Sequence, residues 1–406
     1  MKKRIIMPAV KLNTIRRIIL DTSGPQALGA LTENGEPAEF ISVSKERGSE
    51  VGNIYVGKVE TVTKNGFAFV DIGLERNAFL NLNDYKEAAN AESVKAGKPV
   101  IVQVTKDAYK EKGAGVTTRL TWLGRFFVVE PEGEDGSVSV SKKITDEKER
   151  ERLAGVADSL LKAVGPKNKR VIVRTDAANA ATSGLEAELR ELSAAITETE
   201  NEIKRILGES ELALPALVYK AYSGACAMMA AELMAAAGYS VSEIVTNDIA
   251  EREALISAYE PKGVKVVYKD ERLFAVYNLE KALDTTKFRQ VHLPCGGDIV
   301  IERTDACVVV DVNSGQHIAR QGMEELALKV NLEAAREIAK QLKLRNLGGA
   351  ILIDFIGMKD PANAETLIDE LKTALARDSA STAVEGITRL GFVEMTRKRV
   401  RNPLWR

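Results

Sequence analysis

Histidine and cysteine are almost missing from this sequence. Two histidines, His292 and His317, and three cysteines, Cys226, Cys295 and Cys307, are spread over 406 residues. No cysteines form a CxxC, and the histidines lack metal-ligand spacing. This argues against a disulfide framework and against a structural zinc site within the chain. An excess of charge is missing too: Lys+Arg 57 against Asp+Glu 58 leaves a formal net charge of -1. Any nucleic-acid-binding surface must therefore be a local basic patch rather than a global field. Long apolar runs are also absent. The N-terminal MKKRIIMPAV is basic, but its apolar run is too short for a signal peptide and Pro8 interrupts it. Nothing approaches membrane-spanning length. A soluble cytoplasmic chain of about two to four domains is expected.

What the sequence does have is a pair of apolar runs that end in acids. CVVVDVNSG (Cys307 to Gly315) runs valines into Asp311 and Asn313, and GGAILIDFIGM (Gly348 to Met358) places Asp354 in the same position. Continuous apolar runs suit strands covered on both faces. Between them, MEELALKVNLEAAREIAKQLKLRN puts Leu326, Val330, Ala334, Ile338 and Leu342 on one helical face. A strand–long helix–strand unit is a crossover, so the two strands are expected to be parallel, with both acids at one sheet edge. Two carboxylates meeting in a partly buried place repel unless something positive neutralises them. Oxygen-only ligands favour magnesium or manganese. The plain alternative is that each aspartate ends its strand and caps a turn.

Elsewhere the chain changes character several times. Residues 1–48 hold two short strands, too little for a core, and are expected to pair with strands from residues 215–283, which carry an Ala-rich helix and the strands SEIVTND and KVVYKDE. Residues 49–122 are β-rich with Gly, Asn and Asp between the runs, and read as a small barrel of OB type. Such a barrel binds single strands by stacking bases on exposed aromatics in a basic groove. Phe67 is expected in the core. The spacing leaves Phe69 and Phe79 open between core and surface, and Lys58, Lys64, Lys106, Lys110 and Lys112 are candidate charge. Residues 123–214 contain RFFVVEP, a charged helix from Ser141, the strand Val171 to Ala177, and a strongly periodic helix over 184–207. Arg174 and Thr175 offer a guanidinium fork and a hydroxyl that suit a phosphate, although on the residues alone a surface salt bridge is the favoured explanation of the arginine. Residues 284–406 hold the acidic strands and end in the basic tail MTRKRVRNPLWR.

These motifs resemble the ribonuclease E/G family through nearly the whole chain. IYVGKV with AFVDIGLERNAFLNL is similar to the family's OB domain, KGAGVTTRLTWLGR to the segment after it, and VIVRT to its 5′-sensor strand. PCGGDIVIERTDACVVVDVNSG, NLEAAREIAKQLKLRNLGGAILIDFIGM and GITRLGFVEMTRKR resemble its catalytic region. The resemblance implies an α+β multidomain fold. An RNase H-like subdomain (1–48 and 215–283) carries an inserted OB domain (49–122) and a 5′-sensor region (123–214), followed by a DNase I-like catalytic subdomain (284–406). It implies magnesium-dependent cleavage of single-stranded RNA to 5′-phosphate and 3′-hydroxyl ends, in RNA processing or decay. Asp311 and Asp354 would bind the metal and Asn313 would orient the scissile phosphate or the ion. Phe69, Phe79, Lys112 and Arg389 would grip RNA, and Arg174 with Thr175 would hold a 5′-monophosphate.

The sequence departs from the family pattern at four places. Gly357 replaces an acid that commonly follows the second acidic strand, Asp176 follows Arg174-Thr175 where a neutral residue is usual, and Asp305 replaces a glutamate. The cysteines of the family's zinc link are missing, so no zinc and no zinc-bridged dimer is expected, while a homodimer through other surfaces stays open. The rival expectation is a non-catalytic single-stranded RNA-binding protein that uses the barrel and the basic tail as a clamp.

Overall fold

The computed structural model describes residues 14–45, 49–85, 94–109, 111–130, 137–178, 180–208, 214–315 and 323–405. Lys110 and His317 lie outside them. The chain is mixed α+β with several sheets, and divides into two compact units: residues 44–228, and residues 1–43 with 229–406.

In residues 44–228 the strands Ile54–Val62, Phe67–Asp71, Ala78–Asn81, Gly115–Thr117 and Pro99–Lys106 follow one another round a sheet. Antiparallel pairing of Ile54–Lys58 with Pro99–Gln103 closes it into an OB-like barrel. Strand alternation decides which residues fill it. Ala68, Val70, Ala78, Leu80, Val102 and Val104 point inward and are buried. Phe67, Phe69 and Phe79 have the opposite parity. Phe67 is therefore not core, as its apolar character suggested: it is half-buried, with its ring 5.2 Å from that of Phe79 on the outer face.

The same unit holds a second sheet, in the order Val138–Val140, Arg170–Val173, Phe127–Glu130, Trp122–Leu123. Helices Glu147–Val164 and Thr182–Gly208 pack on it through Leu153, Ala157, Leu185, Leu189 and Ile196. The first helix starts at Glu147 rather than Ser141. The Asp146 carboxylate accepts the amides of Lys148 and Glu149 and fixes that start. The strand expected through Ala177 stops at Val173, and Thr175–Ala177 turn as a 3-10 helix.

In the other unit, the opening strands Arg16–Asp21, Gln26–Glu33 and Glu36–Ser44 share a five-stranded sheet with Glu243–Thr246 and Lys265–Tyr268. Arg16–Asp21 runs parallel to Glu243–Thr246. A six-stranded sheet comes next, in the order Gln290–His292, Asp298–Arg303, Cys307–Asn313, Gly349–Asp354, Val393–Arg397, Thr382–Ile387. Helices Met323–Leu344 and Pro361–Leu375 cover one face of it, where Val308, Val310, Ile351, Ile353 and Met395 meet Val330, Ala334, Ile338, Leu367 and Leu371. The acidic strands are thus fully covered on one face only. Val309 and Leu352, on the other face, are just partly buried. An apolar run signals a buried strand but cannot tell complete burial from partial burial of the second face.

The basic tail does not hang free. Arg397 is 2% exposed, with Nε and Nη2 on the two Asp378 oxygens at 2.7 and 3.1 Å and Nη1 on the Leu347 carbonyl at 2.8 Å. Arg401 pairs with Glu39 and Glu232, and Leu404 and Trp405 pack with Phe274 and Leu279. Trp405 donates to the Thr286 hydroxyl at 2.6 Å. These ties leave Arg397 and Arg401 little freedom to act in a mobile clamp. Among the described residues no helix is long and apolar enough to cross a membrane. A buried, bidentate Arg–carboxylate pair is costly to break from one side. Asp378→Ala is expected to destabilise this unit by about 3–5 kcal/mol in urea unfolding. Unchanged stability would mean that Arg397 finds its hydrogen bonds elsewhere.

Candidate functional site

Asp311 and Asp354 are direct partners in the parallel register of their two strands, as are Val310 and Ile353 one step back. Neighbouring strands lie about 4.8 Å apart, so two like charges stand side by side on one face. Parity puts both acids and Asn313 opposite the helix-covered core. All three are exposed, which corrects the partly buried setting expected from the apolar runs. The Asn313 amide nitrogen donates to Asp311 Oδ2 at 3.1 Å, which fixes which way the amide faces and leaves its carbonyl oxygen free of that bond. On the next antiparallel strand, Asp298 pairs with Asn313, and His292 pairs with Asp298 beyond it. Among the described residues, no third acid, histidine or cysteine converges with Asp311 and Asp354. The donor set is therefore all oxygen: two carboxylates and one amide carbonyl. That set fits a hard divalent cation that keeps part of its own water shell, as magnesium does.

Two features hold this edge in place. The turn after Asn313 is packed against the CGGD loop. A Cβ on Gly297 would stand 2.5 Å from the Asn313 carbonyl oxygen, and one on Gly315, whose φ is +69°, would stand 2.2 Å from the Gly296 carbonyl oxygen. Only glycines allow this approach. The segment after Asp354 is held by the crossover helix. Asn331, fully buried, donates to the Ile356 carbonyl at 2.8 Å and accepts the Ile356 amide at 3.0 Å. Glu324 accepts the amides of Lys359 and Asp360, each at 3.0 Å, and the side chain of Asn363 at 3.0 Å. Sequence reading missed Asn331 and Glu324. An asparagine within an apolar helical face (Val330, Asn331, Ala334) was the available signal. Gly357 is exposed, and a Cβ there would meet nothing within 4 Å, so the missing acid leaves no gap in the packing. Arg389 is exposed in the turn that joins the last two strands, closed by Thr388 N to Phe392 O at 2.8 Å. Val393 pairs with Ile353, so this turn sits at the same sheet edge as Asp354.

On the barrel, Phe69 and Phe79 pair directly across two strands, with rings 6.2 Å apart and each 39% exposed. Gly115 pairs with Phe79 on the other side and has no side chain to cover the ring from that strand. Lys112 is exposed three residues earlier, its backbone bridged to Tyr109. Lys64 and Lys106 are exposed, and Lys58 lies 3.6 Å from Glu60. In the second sheet of that unit, the Arg174 side chain donates to the Gly124 carbonyl and its backbone amide to the Phe126 carbonyl at 2.7 Å. Thr175 is exposed, with its hydroxyl 3.4 Å from that of Ser141. Burial pushes the Asp176 carboxyl above its usual range, while the positive charges of Arg174 and Arg125 pull it the other way.

The Glu324 carboxyl is held below the ordinary glutamate range, chiefly by the Asp360 amide, then by Lys359 and Asn363. Because the folded value is depressed, this anchor is complete at neutral pH and is lost as pH falls through the depressed value. In a pH titration followed by NMR, the Lys359 and Asp360 amide resonances are expected to move together, with a midpoint below the ordinary glutamate range. Glu324→Gln is expected to abolish the movement. A midpoint at or above that range would rule out the anchor.

Comparison with known proteins widens the view from this edge to the chain. The family model for the ribonuclease E/G family matches residues 121–400, a stretch that includes Arg174, Asp311, Asp354 and Arg389. Ribonuclease G of Haemophilus influenzae is 32% identical over 400 residues, covering 92% of this chain and 78% of that protein. Ribonuclease G of Escherichia coli K12 is 33% identical over 394 residues, covering 91% and 77%. Ribonuclease E of Nostoc is 31% identical over 368 residues, covering 86% of this chain and 51% of its own length. With so much of its length matched, the chain belongs to the ribonuclease E/G family.

Proposed function

We propose that this chain is a magnesium- or manganese-dependent endoribonuclease that cuts single-stranded RNA to 5′-phosphate and 3′-hydroxyl ends, in RNA processing or decay. The observation that carries it is the in-register pair Asp311 and Asp354, with Asn313 bonded to the first, exposed on the open face of one sheet. In this reading, residues 1–48 with 215–283 form an RNase H-like subdomain, and residues 49–122 form an OB domain. Residues 123–214 form a 5′-sensor region and residues 284–406 a DNase I-like catalytic subdomain.

Asp311 and Asp354 would hold the cation. When bound, it supplies Lewis-acid polarisation of the scissile phosphate and a hydroxide near neutral pH. The Asn313 amide, kept facing one way by its bond to Asp311, is left with a carbonyl oxygen for the ion or its water. In the reaction the water oxygen bonds to phosphorus, the P–O3′ bond breaks, and the 3′ oxygen takes up a proton. The exposed faces of Phe69 and Phe79 offer stacking platforms that any base can use, and Lys112 supplies charge for a phosphate beside them. This chemistry selects unpaired strands, because a base in a duplex has no free face to stack. Arg389 adds a positive charge at the acidic edge. Arg174 and Thr175 are the 5′-monophosphate ligands, and Asp176 is a resident anion that competes with that phosphate for Arg174.

The test is cleavage of a labelled single-stranded RNA in magnesium by Asp311→Asn. Loss of one metal-binding charge is expected to slow the reaction by at least about a hundredfold while RNA binding persists. Cleavage at the unsubstituted rate would overturn the assignment. RNA binding without magnesium-dependent cleavage in the unsubstituted protein would favour the non-catalytic clamp instead.

A further inference from the structure

Glu188 is a buried acid that none of the roles above uses. It lies on the helix Thr182–Gly208 and is 5% exposed, pointing into the second sheet of residues 44–228. Its Oε1 accepts the Phe126 amide at 2.7 Å and the Phe127 amide at 3.1 Å. Those amides belong to the short segment that holds Arg174. The Gly124 carbonyl accepts from the guanidinium and the Phe126 carbonyl accepts the Arg174 backbone amide. One peptide unit is shared: the carboxylate takes the Phe127 N–H and the Arg174 backbone amide takes the Phe126 carbonyl of the same unit, while the guanidinium takes the Gly124 carbonyl two residues earlier in the segment. Gly124 N also bonds to the Phe127 carbonyl at 2.8 Å, closing the segment on itself. The space around Gly124 is equally tight. A Cβ on Gly124 would stand 2.1 Å from Glu188 Oε1, so any side chain there would displace the carboxylate.

A buried carboxylate that accepts two amides is an expensive group to place unless it fixes something. The helix presents it beside Leu185, Leu189 and Leu192, which provide the apolar packing there. What only an acceptor can do is hold the two N–H groups.

We propose that Glu188 is the positioning residue of the 5′-end sensor: it clamps the Gly124–Phe127 segment and thereby sets the Arg174 guanidinium for a terminal phosphate. The proposal rests on the 5′-monophosphate reading of Arg174 and Thr175. Discrimination between RNA ends then depends on a residue that touches no RNA, and it is separable from cleavage itself.

The experiment compares Glu188→Ala, Glu188→Gln and Arg174→Ala with the unsubstituted protein, on one RNA bearing either a 5′-monophosphate or a 5′-hydroxyl. Amide hydrogen exchange of the 123–128 segment is measured in parallel. Glu188→Ala is expected to lower the monophosphate preference by about tenfold, to the level of Arg174→Ala, with cleavage of the hydroxyl RNA unchanged and exchange faster in that segment alone. Glu188→Gln keeps an acceptor oxygen of the same reach and is expected to keep most of the preference. Equal slowing of both RNAs, or exchange raised throughout the unit, would show a merely structural role and overturn the proposal. So would an unchanged preference in Glu188→Ala where Arg174→Ala loses it. If the unsubstituted protein treats both RNAs alike, the sensor reading itself fails and the proposed coupling to a phosphate falls with it. Exchange then separates the two failures, because acceleration confined to residues 123–128 would still establish the clamp.

Discussion

The parallel register that places Asp311 opposite Asp354 is the constraint on which the proposed chemistry depends. A shift of one residue would turn one carboxylate into the helix-covered core and leave the other alone on the open face. Several independent features hold the register. Val308, Val310, Ile351 and Ile353 must all reach the same apolar layer, which a shift of one residue would prevent. The crossover helix that joins the strands also ties down the segment after Asp354, through Asn331 and Glu324. The two carboxylates are thus brought together against their mutual repulsion by burial of the residues between and behind them.

Much of this was legible because it rests on local pattern. Two apolar runs that end in acids, separated by one long amphipathic helix, fix a parallel pair and one shared edge. The barrel was legible from strand length and turn residues. Errors arose where the sequence signal does not report the quantity that mattered. The valine runs mark strands but not how many faces are covered, so the acids were expected to be half-buried and are exposed. Phe67 is apolar, yet its parity with Phe69 assigns it to the outer face, and parity was the better guide. The tail reads as basic, and a clamp is one use for it, while Arg397 and Arg401 lie against Asp378 and Glu39, acids distant in sequence. Such long-range pairing leaves no periodic trace. The same holds for Glu188 and Asn331: a polar residue on an apolar helix face announces a partner without naming it.

These buried polar groups share one logic. Glu188 and Asn331 each sit on a helix whose packing is otherwise apolar, and each bonds backbone groups of the segment beside that helix. Loops lack the ladders that hold strands, and their amides and carbonyls must be satisfied some other way. Here helices provide the acceptors, and the loops so held are the ones that carry or flank the candidate RNA-contacting residues. Rigid support of exposed groups is what a site needs if its ligands are to be held in one geometry before substrate arrives.

The central claim is that Asp311 and Asp354 act as one cation site. Manganese binding, followed by electron paramagnetic resonance in the absence of RNA, measures this without reference to cleavage. Asp311→Asn and Asp354→Asn are each expected to weaken binding by at least about tenfold, and the double variant by little more than either alone, because one site is lost only once. Binding at the unsubstituted strength in either single variant, or two losses that simply add, would contradict a shared site.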